Sequence, residues 1–177
     1  MYQIIPMTTD LAQQVVTWKY DGPYSFYDYC NEANHILDAS EWGKTLFAVL
    51  DKSGQLCGEV SFGFLDPSDE WVSQDDMDAG RLENCILWIG FGMRPDLTGQ
   101  GQGLAFVNAC VSFAVQFARA QYHYLGEYIG LGVYQFNQRA IKVYERAGFE
   151  KFYEGCEVEA GNELKTQRMR KRIHPIG

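Results

Sequence analysis

The chain has 177 residues, of which 46% are hydrophobic and 15% aromatic. A chain of this length commonly forms one domain around one core, so we expect residues 1–177 to be a single domain. The formal net charge of −8 argues against a nucleic-acid partner, because binding to a phosphate backbone depends on a basic surface.

Targeting and metal signals are weak in this sequence. The first ten residues, MYQIIPMTTD, lack the basic and long apolar segments of a signal peptide, and we find no run of about 18 apolar residues. We therefore expect a cytoplasmic protein without a membrane partner. The five cysteines form no CxxC pair, and His35, His123 and His174 are isolated, so no metal site is predicted.

Hydrophobic spacing predicts strands that alternate with helices. The predicted strands are Tyr2–Met7, Thr45–Leu50, Leu56–Phe64, Cys85–Met93, Tyr124–Tyr134, Phe149–Val158 and Leu164–Arg172. Helices are predicted from Thr8 or Thr9 to about Tyr20, and over Cys30–Leu37, Gly103–Tyr122 and Gln138–Ala147, with a loop over Asp66–Gly80. The segment Cys85–Met93 is apolar along its whole length, which is typical of a central strand buried on both faces.

A glycine-rich turn, TGQGQG, lies between that strand and the long helix that follows. The first amides of a helix have no intrahelical acceptor, and the helix dipole adds positive charge there, so this turn can bind an anion. A P-loop is excluded because no lysine follows a glycine in the required frame, and a Rossmann turn fits poorly because its third glycine is missing.

A second segment, NQRAIKVYERAGF, follows further along the chain. Asn137 is well positioned as the N-cap of the last helix, and Tyr144 lies about two turns later on the same face. Each residue also has an ordinary structural interpretation, since asparagine is a favoured cap and a tyrosine on an apolar stripe is often part of a core. We expect both side chains to line one cleft.

Strand, MRPDLTGQGQG, helix, strand and NQRAIKVYERAGF together resemble the acetyl-CoA-binding core of the GNAT superfamily over roughly residues 85–155. The resemblance implies an α/β (α+β) fold with a central, mixed, mostly antiparallel and twisted sheet of about six to seven strands, with helices on both faces. It also implies acetyl-CoA as cosubstrate and no metal cofactor.

The resemblance assigns cofactor contacts residue by residue. The backbone of the strand would pair with the pantetheine arm, and the amides of the turn would hold the pyrophosphate, with Thr98 where the family has Gln or Arg. Asn137 would contact the cofactor, and Tyr144 would line the cofactor site and protonate the leaving thiolate. The implied cofactor-binding set is Phe91, Gly92, Met93, Thr98, Gly99, Gln100, Gly101, Gln102, Gly103, Asn137 and Tyr144.

The implied reaction is direct transfer of an acetyl group to the primary amine of a small molecule or peptide within a ternary complex. An ammonium with a pKa near about 10 must first lose a proton, which requires a general base. Many relatives use a Glu on the central strand, but Trp88 stands at that position here. Glu59 and Glu83 are the candidate substitutes.

The acceptor site is expected between the first two helices, where Tyr24, Tyr27 and Asp28 are the candidate substrate-binding residues. Rings and carboxylates suit a cationic amine. Two alternatives remain, because Trp88 and Thr98 depart from the family pattern. One is a non-catalytic acyl-CoA-binding module, and the other is a transferase that uses a longer acyl-CoA. A homodimer through terminal strands or loops is also compatible with the sequence.

Overall fold

The computed structural model describes residues 1–31, 33–159 and 161–173, so His174 lies outside the described residues. Within these ranges the chain forms seven β-strands and five α-helices. The strands are β1 (Gln3–Pro6), β2 (Leu46–Leu50), β3 (Leu56–Leu65), β4 (Ile86–Met93), β5 (Tyr128–Tyr134), β6 (Glu150–Glu159) and β7 (Asn162–Arg172). The helices are α1 (Thr9–Val15), α2 (Ala33–Leu37), α3 (Gln74–Asp78), α4 (Gly103–Tyr122) and α5 (Gln138–Arg146).

The seven strands form one sheet in the order β1-β2-β3-β4-β5-β7-β6. Antiparallel pairing joins β1 to β2, β2 to β3, β5 to β7 and β6 to β7. Strands β4 and β5 are parallel, and the long helix α4 between them supplies the crossover connection that a parallel pair requires. The predicted mixed, mostly antiparallel sheet of an α/β protein is therefore confirmed.

Contacts within the chain define two compact units, which we describe separately. The first unit contains residues 1–61 and 91–106, and the second contains residues 62–90 and 107–177. In the first unit the core lies between α1, α2 and the strands β2 and β3. Its fully buried members include Ala12, Val15, Ile36, Leu46 and Ala48. The assignment of the whole chain to a single domain stays a prediction.

The first helix is shorter than predicted, because α1 ends at Val15 instead of continuing to Tyr20. The amides of Thr17 and Trp18 turn back onto the last helical carbonyls, and the Trp18 carbonyl then accepts from the Tyr29 amide. This long-range hydrogen bond takes the chain out of the helix. Residues 22–27 and 29–31 form two short 3₁₀ turns, so the predicted helix over Cys30–Leu37 is reduced to α2.

Two further boundaries differ from the prediction. The acidic segment Asp66–Gly80, expected to be a loop, contains α3, because the Ser73 hydroxyl caps this helix by accepting from the Asp76 amide at 3.2 Å. Strand β5 begins at Tyr128 instead of Tyr124. Tyr124 cannot lie in the strand because its hydroxyl donates to the Tyr128 carbonyl at 2.8 Å, which folds the intervening residues back.

The capping residues at both ends of α5 were predicted correctly. Asn137 caps the helix by accepting from the Ala140 amide at 3.2 Å. Gly148 has φ of +90° and donates to Glu145, while Phe149 donates to Tyr144, which is the Schellman pattern. The antiparallel hairpin of β6 and β7 also matches the sequence-based expectation.

The long helix α4 matches its predicted bounds and buries one stripe of its surface, including Val107, Cys110, Val111, Ala114 and Ala118. By length and composition alone, this helix is apolar enough to cross a membrane. The expectation that the protein has no membrane partner stays a prediction. A helix in the core of a soluble protein meets the same criterion.

Candidate functional site

The glycine turn has left-handed backbone at two of its glycines. Gly99 and Gly101 have φ of +74° and +78°, in the left-handed region that other residues adopt only at a cost. Their neighbours Gln100 and Gln102 are exposed. Among the described residues, no heavy atom outside the two adjacent residues lies within 4 Å of the position that a Cβ would take at Gly101. The turn therefore presents open backbone at the start of α4.

Helix α4 begins at Gly103, directly after this turn, and Phe106 is the first residue whose amide donates back, to the Gln102 carbonyl at 3.1 Å. The amides of the first turn of a helix point out along its axis, and the dipole makes this end positive. A phosphate group can therefore be held by backbone alone. The residues present fit the pyrophosphate of an acyl-CoA.

Arg94 stabilises the segment that leads into the glycine turn. Its guanidinium makes two hydrogen bonds to the Asp96 carboxylate, at 2.7 and 3.1 Å, and a third to the Leu56 carbonyl at 2.8 Å. The Arg94 amide also donates to the Cys57 carbonyl at 2.9 Å. This residue thus ties the short 3₁₀ turn Pro95–Leu97 to the start of β3 and fixes where the glycine turn begins.

Phe106 anchors the first turn of α4 on the sheet. Its ring occupies the space where Gly58 would carry a side chain, so the ring lies directly on the backbone of β3. The rings of Tyr2 and Phe91 contact it edge-on, with centroids 5.6 and 6.2 Å away. The helix start, β3 and the end of β4 are therefore held together in the first unit.

Glu59 lies on the opposite face of β3 from Gly58, because side chains alternate along a strand. It is only 5% exposed, and its Oε1 accepts a hydrogen bond of 2.6 Å from the Tyr29 hydroxyl. A Cβ at Gly92 of β4 would collide with that hydroxyl and would lie 3.3 Å from the same Oε1. A buried carboxylate and a phenol therefore meet the backbone of β4 where it carries no side chain.

Tyr20 completes this cluster. Its hydroxyl donates to the Met93 carbonyl at 2.8 Å, and its ring lies 6.5 Å from that of Tyr29. Burial raises the pKa of Tyr20 well above its usual value, and the negative charge of Glu59 raises it further. Tyr20 therefore stays protonated. We call Tyr20, Tyr29, Glu59 and Gly92 together the carboxylate cluster.

The predicted acceptor residues lie on the loop that carries Tyr29. Tyr24, Tyr27 and Asp28 are half-buried, and the Tyr27 ring packs edge-on against Phe26 at 5.5 Å. Asp28 Oδ1 accepts from the Tyr20 amide at 2.7 Å, so this carboxylate also holds the loop in shape. The loop is therefore fixed to the carboxylate cluster at both Tyr20 and Tyr29.

In the second unit, the parallel pairing of β4 with β5 joins Leu87 to Ile129 and Trp88 to Gly130. Further along, Gly90 of β4 and Gly132 of β5 are exposed although both strands are central in the sheet order. Exposed strand backbone can pair with an extended ligand. This is the kind of surface that the pantetheine arm requires.

Trp88, which replaces the Glu of many relatives, has a structural role in the second unit. Its ring lies over Gly130, where a Cβ would come within 2.6 Å of it. The Arg168 guanidinium lies 5.4 Å from the Trp88 ring and 5.5 Å from the Tyr153 ring, and it forms an ion pair of 2.6 Å with Asp69. Trp88 therefore supports a cation–π stack.

The remaining predicted residues lie in the second unit. Asn137 is the cap described above, and Tyr144 is half-buried on α5, with its ring 6.2 Å from that of Phe149. Glu83 is exposed in the loop before β4. Among residues 1–31, 33–159 and 161–173, no group of three or more His, Cys, Asp or Glu side chains is arranged to hold a metal ion.

The sequence places Tyr20 and Tyr29 in the tyrosine-rich segment expected to line the acceptor site, but gives neither a role, because their contacts with β4 and Glu59 are long-range and leave no local pattern. Arg94 was missed. Arg94 was detectable in part, because an Arg two residues before an Asp in a turn can form a local ion pair.

A known protein family matches most of this chain. The family model for the acetyltransferase (GNAT) family matches residues 9–149. No curated protein resembles this chain closely enough in sequence to count as a match.

Several solved structures share the fold. A protein proposed to be a phosphinothricin N-acetyltransferase has a TM-score of 0.63 and 12% identity, covering 98% of this chain and 99% of that one. A chimera of the spermidine N-acetyltransferase SpeG from Vibrio cholerae and hSSAT has a TM-score of 0.62 and 16% identity, covering 97% and 94%. Mutant forms of the spermidine/spermine N-acetyltransferase SpeG from Vibrio cholerae have a TM-score of 0.59 and 18% identity, covering 97% and 95%.

Proposed function

Because this chain belongs to the GNAT acetyltransferase family, we propose that it transfers the acetyl group of acetyl-CoA to a primary amine of a small molecule or peptide. The observation that carries the proposal is the buried carboxylate of Glu59 beside Gly92 of β4. This strand is the one whose backbone, by resemblance, receives the reactive arm of the cofactor. A base is thus available although Trp88 stands at the usual position.

The glycine turn supports binding of acetyl-CoA. Two left-handed glycines and the open space at Gly101 leave the amides at the start of α4 accessible to a pyrophosphate. When bound, acetyl-CoA supplies a thioester whose carbonyl carbon is the electrophile. The backbone of Phe91–Met93 orients it, and Asn137 and Tyr144 are the further contacts that the family resemblance implies.

Glu59 supports the chemistry as general base. The incoming amine is an ammonium at neutral pH and must lose a proton before its nitrogen can attack. Glu59 is preferred over Glu83 because Glu83 is exposed, whereas Glu59 is 5% exposed and adjacent to β4. Tyr144 is the proposed proton donor to the thiolate that leaves.

The acceptor is proposed to be a cationic amine bound at Tyr24, Tyr27 and Asp28. The rings offer cation–π contacts, and a half-buried carboxylate attracts positive charge. Structures named as spermidine N-acetyltransferases share the fold at 16% to 18% identity. This likeness makes polyamines a sensible first group in a substrate panel, together with amino-acid amides and peptides.

Cofactor binding is tested by isothermal titration of the protein with acetyl-CoA and with CoA. Gly101→Trp is expected to abolish micromolar binding, because the indole would fill the space that the phosphates need. Gly54→Trp is the matched control, since Gly54 also has positive φ, at +80°, and the described residues leave the same open space around its Cβ position. It lies in the turn between β2 and β3, and binding should persist. Equal loss in both variants would reject the glycine turn as the cofactor site.

The role of Glu59 is tested by thiol release with a panel of amines. Glu59→Gln is expected to lower kcat by about 10² to 10⁴ at neutral pH, the usual contribution of a general base. Asp69→Asn is a control that removes an exposed carboxylate from an ion pair in the second unit. Binding of acetyl-CoA without thiol release from any amine would instead support a non-catalytic binding module, and release only from longer acyl-CoA would support the other alternative.

We further propose that the protein acts in the cytoplasm, that residues 1–177 work as one domain, and that homodimers form through terminal strands or loops. Metal-free activity is also expected, because direct transfer requires no metal. Activity in the presence of a chelator and size measurement by light scattering are the corresponding tests.

A further inference from the structure

We propose that the Tyr29 hydroxyl is the group that takes the proton from the acceptor ammonium and passes its own proton to Glu59. Tyr29 would then be a catalytic residue that contacts the acceptor, and Glu59 would be the final proton acceptor behind it. This inference rests on the proposed function, because it assigns a route for the proton that the base must remove.

The first support is the order of the groups. Glu59 is 5% exposed and Tyr29 is 9% exposed, and the Glu59 Oε1 is already engaged by the Tyr29 hydroxyl at 2.6 Å. An amine cannot take that position without displacing the phenol. The distance is in the usual range of a charge-assisted O–H···O⁻ hydrogen bond, so the Tyr29 hydroxyl proton is already directed at the carboxylate that would receive it.

The second support is the position of the Tyr29 oxygen on β4. A Cβ at Gly92 would collide with this oxygen, so the hydroxyl lies against the strand backbone itself. By the family resemblance, the same strand pairs with the pantetheine arm. A phenol at this position therefore lies beside the region where the thioester and the attacking nitrogen must meet.

The third support is that the ring is held in place. Trp18 packs edge-on against the Tyr29 ring at 5.6 Å, and the Tyr29 amide donates to the Trp18 carbonyl at 3.4 Å. Tyr20 is a poorer relay, because its hydroxyl proton is donated to the Met93 carbonyl. Tyr20 therefore acts as a brace between the loop and β4, and Tyr29 is the group with a carboxylate to receive its proton.

The proton balance of the proposed step is complete. The ammonium N–H bond breaks, its proton forms a bond to Tyr29 Oη, and the original Tyr29 proton moves to Glu59 Oε1. The neutral nitrogen then attacks the thioester carbonyl, a C–N bond forms and the C–S bond breaks. A second nitrogen proton ends on the leaving sulfur, the third stays in the amide, and Glu59 returns its proton to solvent after product leaves.

The test is a pH–rate profile of thiol release for the wild type, Tyr29→Phe and Glu59→Gln, with an amine of pKa about 10. Tyr29→Phe is expected to lower kcat/KM by about 10² to 10⁴ at pH 7. The deficit should shrink about tenfold for each pH unit above that, because the neutral fraction of the amine rises and the relay becomes unnecessary. The dissociation constant for acetyl-CoA should be unchanged.

Two further variants distinguish the proton relay from a general effect of losing a buried hydroxyl. Tyr122→Phe removes a hydroxyl from a buried tyrosine of the second unit and should keep the wild-type profile. The double variant Tyr29→Phe with Glu59→Gln should be no slower than the slower single variant, because both act on one proton. Glu59→Gln should show the same recovery at high pH, and a constant loss at every pH in this variant would reject the relay even if Tyr29→Phe folds poorly.

The possible failures are distinguishable. If the wild type binds acetyl-CoA and acetylates amines while Tyr29→Phe loses nothing, or loses the same factor at every pH, the relay is rejected and the proposed function stands. If the wild type releases no thiol with any amine, the proposed function fails and the relay fails with it.

Discussion

The close contact at Gly92 supports a strong prediction, that Gly92→Ala destabilises the protein and removes most activity. The added methyl group would lie within collision distance of the Tyr29 hydroxyl, 2.9 Å from its ring carbon Cζ and 3.3 Å from Glu59 Oε1. Because Glu59 is on a strand and Trp18 holds the Tyr29 ring, neither neighbour can move freely.

The magnitude follows from two costs. Overpacking a core position by one methyl group costs about 1 to 3 kcal/mol. Moving the Tyr29 hydroxyl away also breaks its hydrogen bond to a carboxylate, which contributes about 1.5 to 3 kcal/mol. Allowing for partial relaxation, we expect a loss of about 2 to 4 kcal/mol in the free energy of unfolding. At about 2 to 4 °C per kcal/mol for this size, Tm should fall by about 5 to 15 °C.

Urea or thermal unfolding, followed by circular dichroism, measures this loss. Gly132→Ala is the matched control, because Gly132 also lies in a strand and its Cβ would make an ordinary 3.7 Å contact with Trp88. In a Tyr29→Phe background the cost of Gly92→Ala should fall by about 1 to 2 kcal/mol, because the colliding oxygen is gone. The reasoning is refuted if Gly92→Ala is no more destabilising than Gly132→Ala, or if its cost is the same in both backgrounds.

Three further predictions concern buried groups. Tyr124→Phe should cost about 1 to 3 kcal/mol of stability, because the Tyr124 hydroxyl accepts from the buried Leu87 amide at 3.0 Å, and chemical denaturation measures the loss. Burial raises the pKa of Tyr124 to about 12. Its protonated form is favoured by folding, so stability should fall as pH rises from about 10, the pKa of an unfolded tyrosine, through about 12, and this fall should be smaller in Tyr124→Phe. Burial also raises the pKa of the Cys57 thiol to about 11. In the folded protein a thiol reagent at pH 8 should therefore modify the exposed Cys30 quickly, the exposed Cys156 more slowly because its hydrogen bond with Glu163 raises its pKa, and the buried cysteines only on unfolding. Rapid reaction of Cys57 would contradict the packing of β3.

Much of the fold could be predicted from local sequence. The bounds of α4, the hairpin from β2 to β3 and the cap and Schellman glycine of α5 all follow from periodicity and end signals. These features depend on residues close together in the chain. The glycine turn was recognised for the same reason, since left-handed φ at Gly99 and Gly101 is a local requirement of the backbone.

The errors have long-range causes. Helix α1 stops at Val15 because the Trp18 carbonyl bonds to the Tyr29 amide, and β5 starts late because the Tyr124 hydroxyl bonds back to Tyr128. Neither hydrogen bond can be predicted from the residues next to the helix end or the strand start that it determines. Helix α3 is the exception, since Ser73 followed by two acidic residues is a local N-cap signal that the charge of the segment obscured.

The residues of the candidate site likewise divide into those with a local sequence signal and those positioned by long-range contacts. Glu59 was one of two candidate general bases in the sequence. The alternation of side chains along a strand does not show that Glu59 is buried beside Gly92. That distinction depends on Tyr29, which lies thirty positions earlier in the chain and reaches Glu59 only in the folded protein. The long-range contacts of Arg94 and Tyr20 were missed for the same physical reason, because they are made to backbone carbonyls of β3 and β4.

The central claim is acetyl transfer from acetyl-CoA to an amine at the carboxylate cluster, and the most direct measurement is mass spectrometry of amine panels incubated with acetyl-CoA and the wild type, Glu59→Gln or Gly101→Trp. We expect an acetylated amine in equal amount to the thiol released by the wild type, and strongly reduced product with both variants. An amine acetylated equally well by Glu59→Gln at neutral pH, or no acetylated product with a wild type that binds acetyl-CoA, would contradict it.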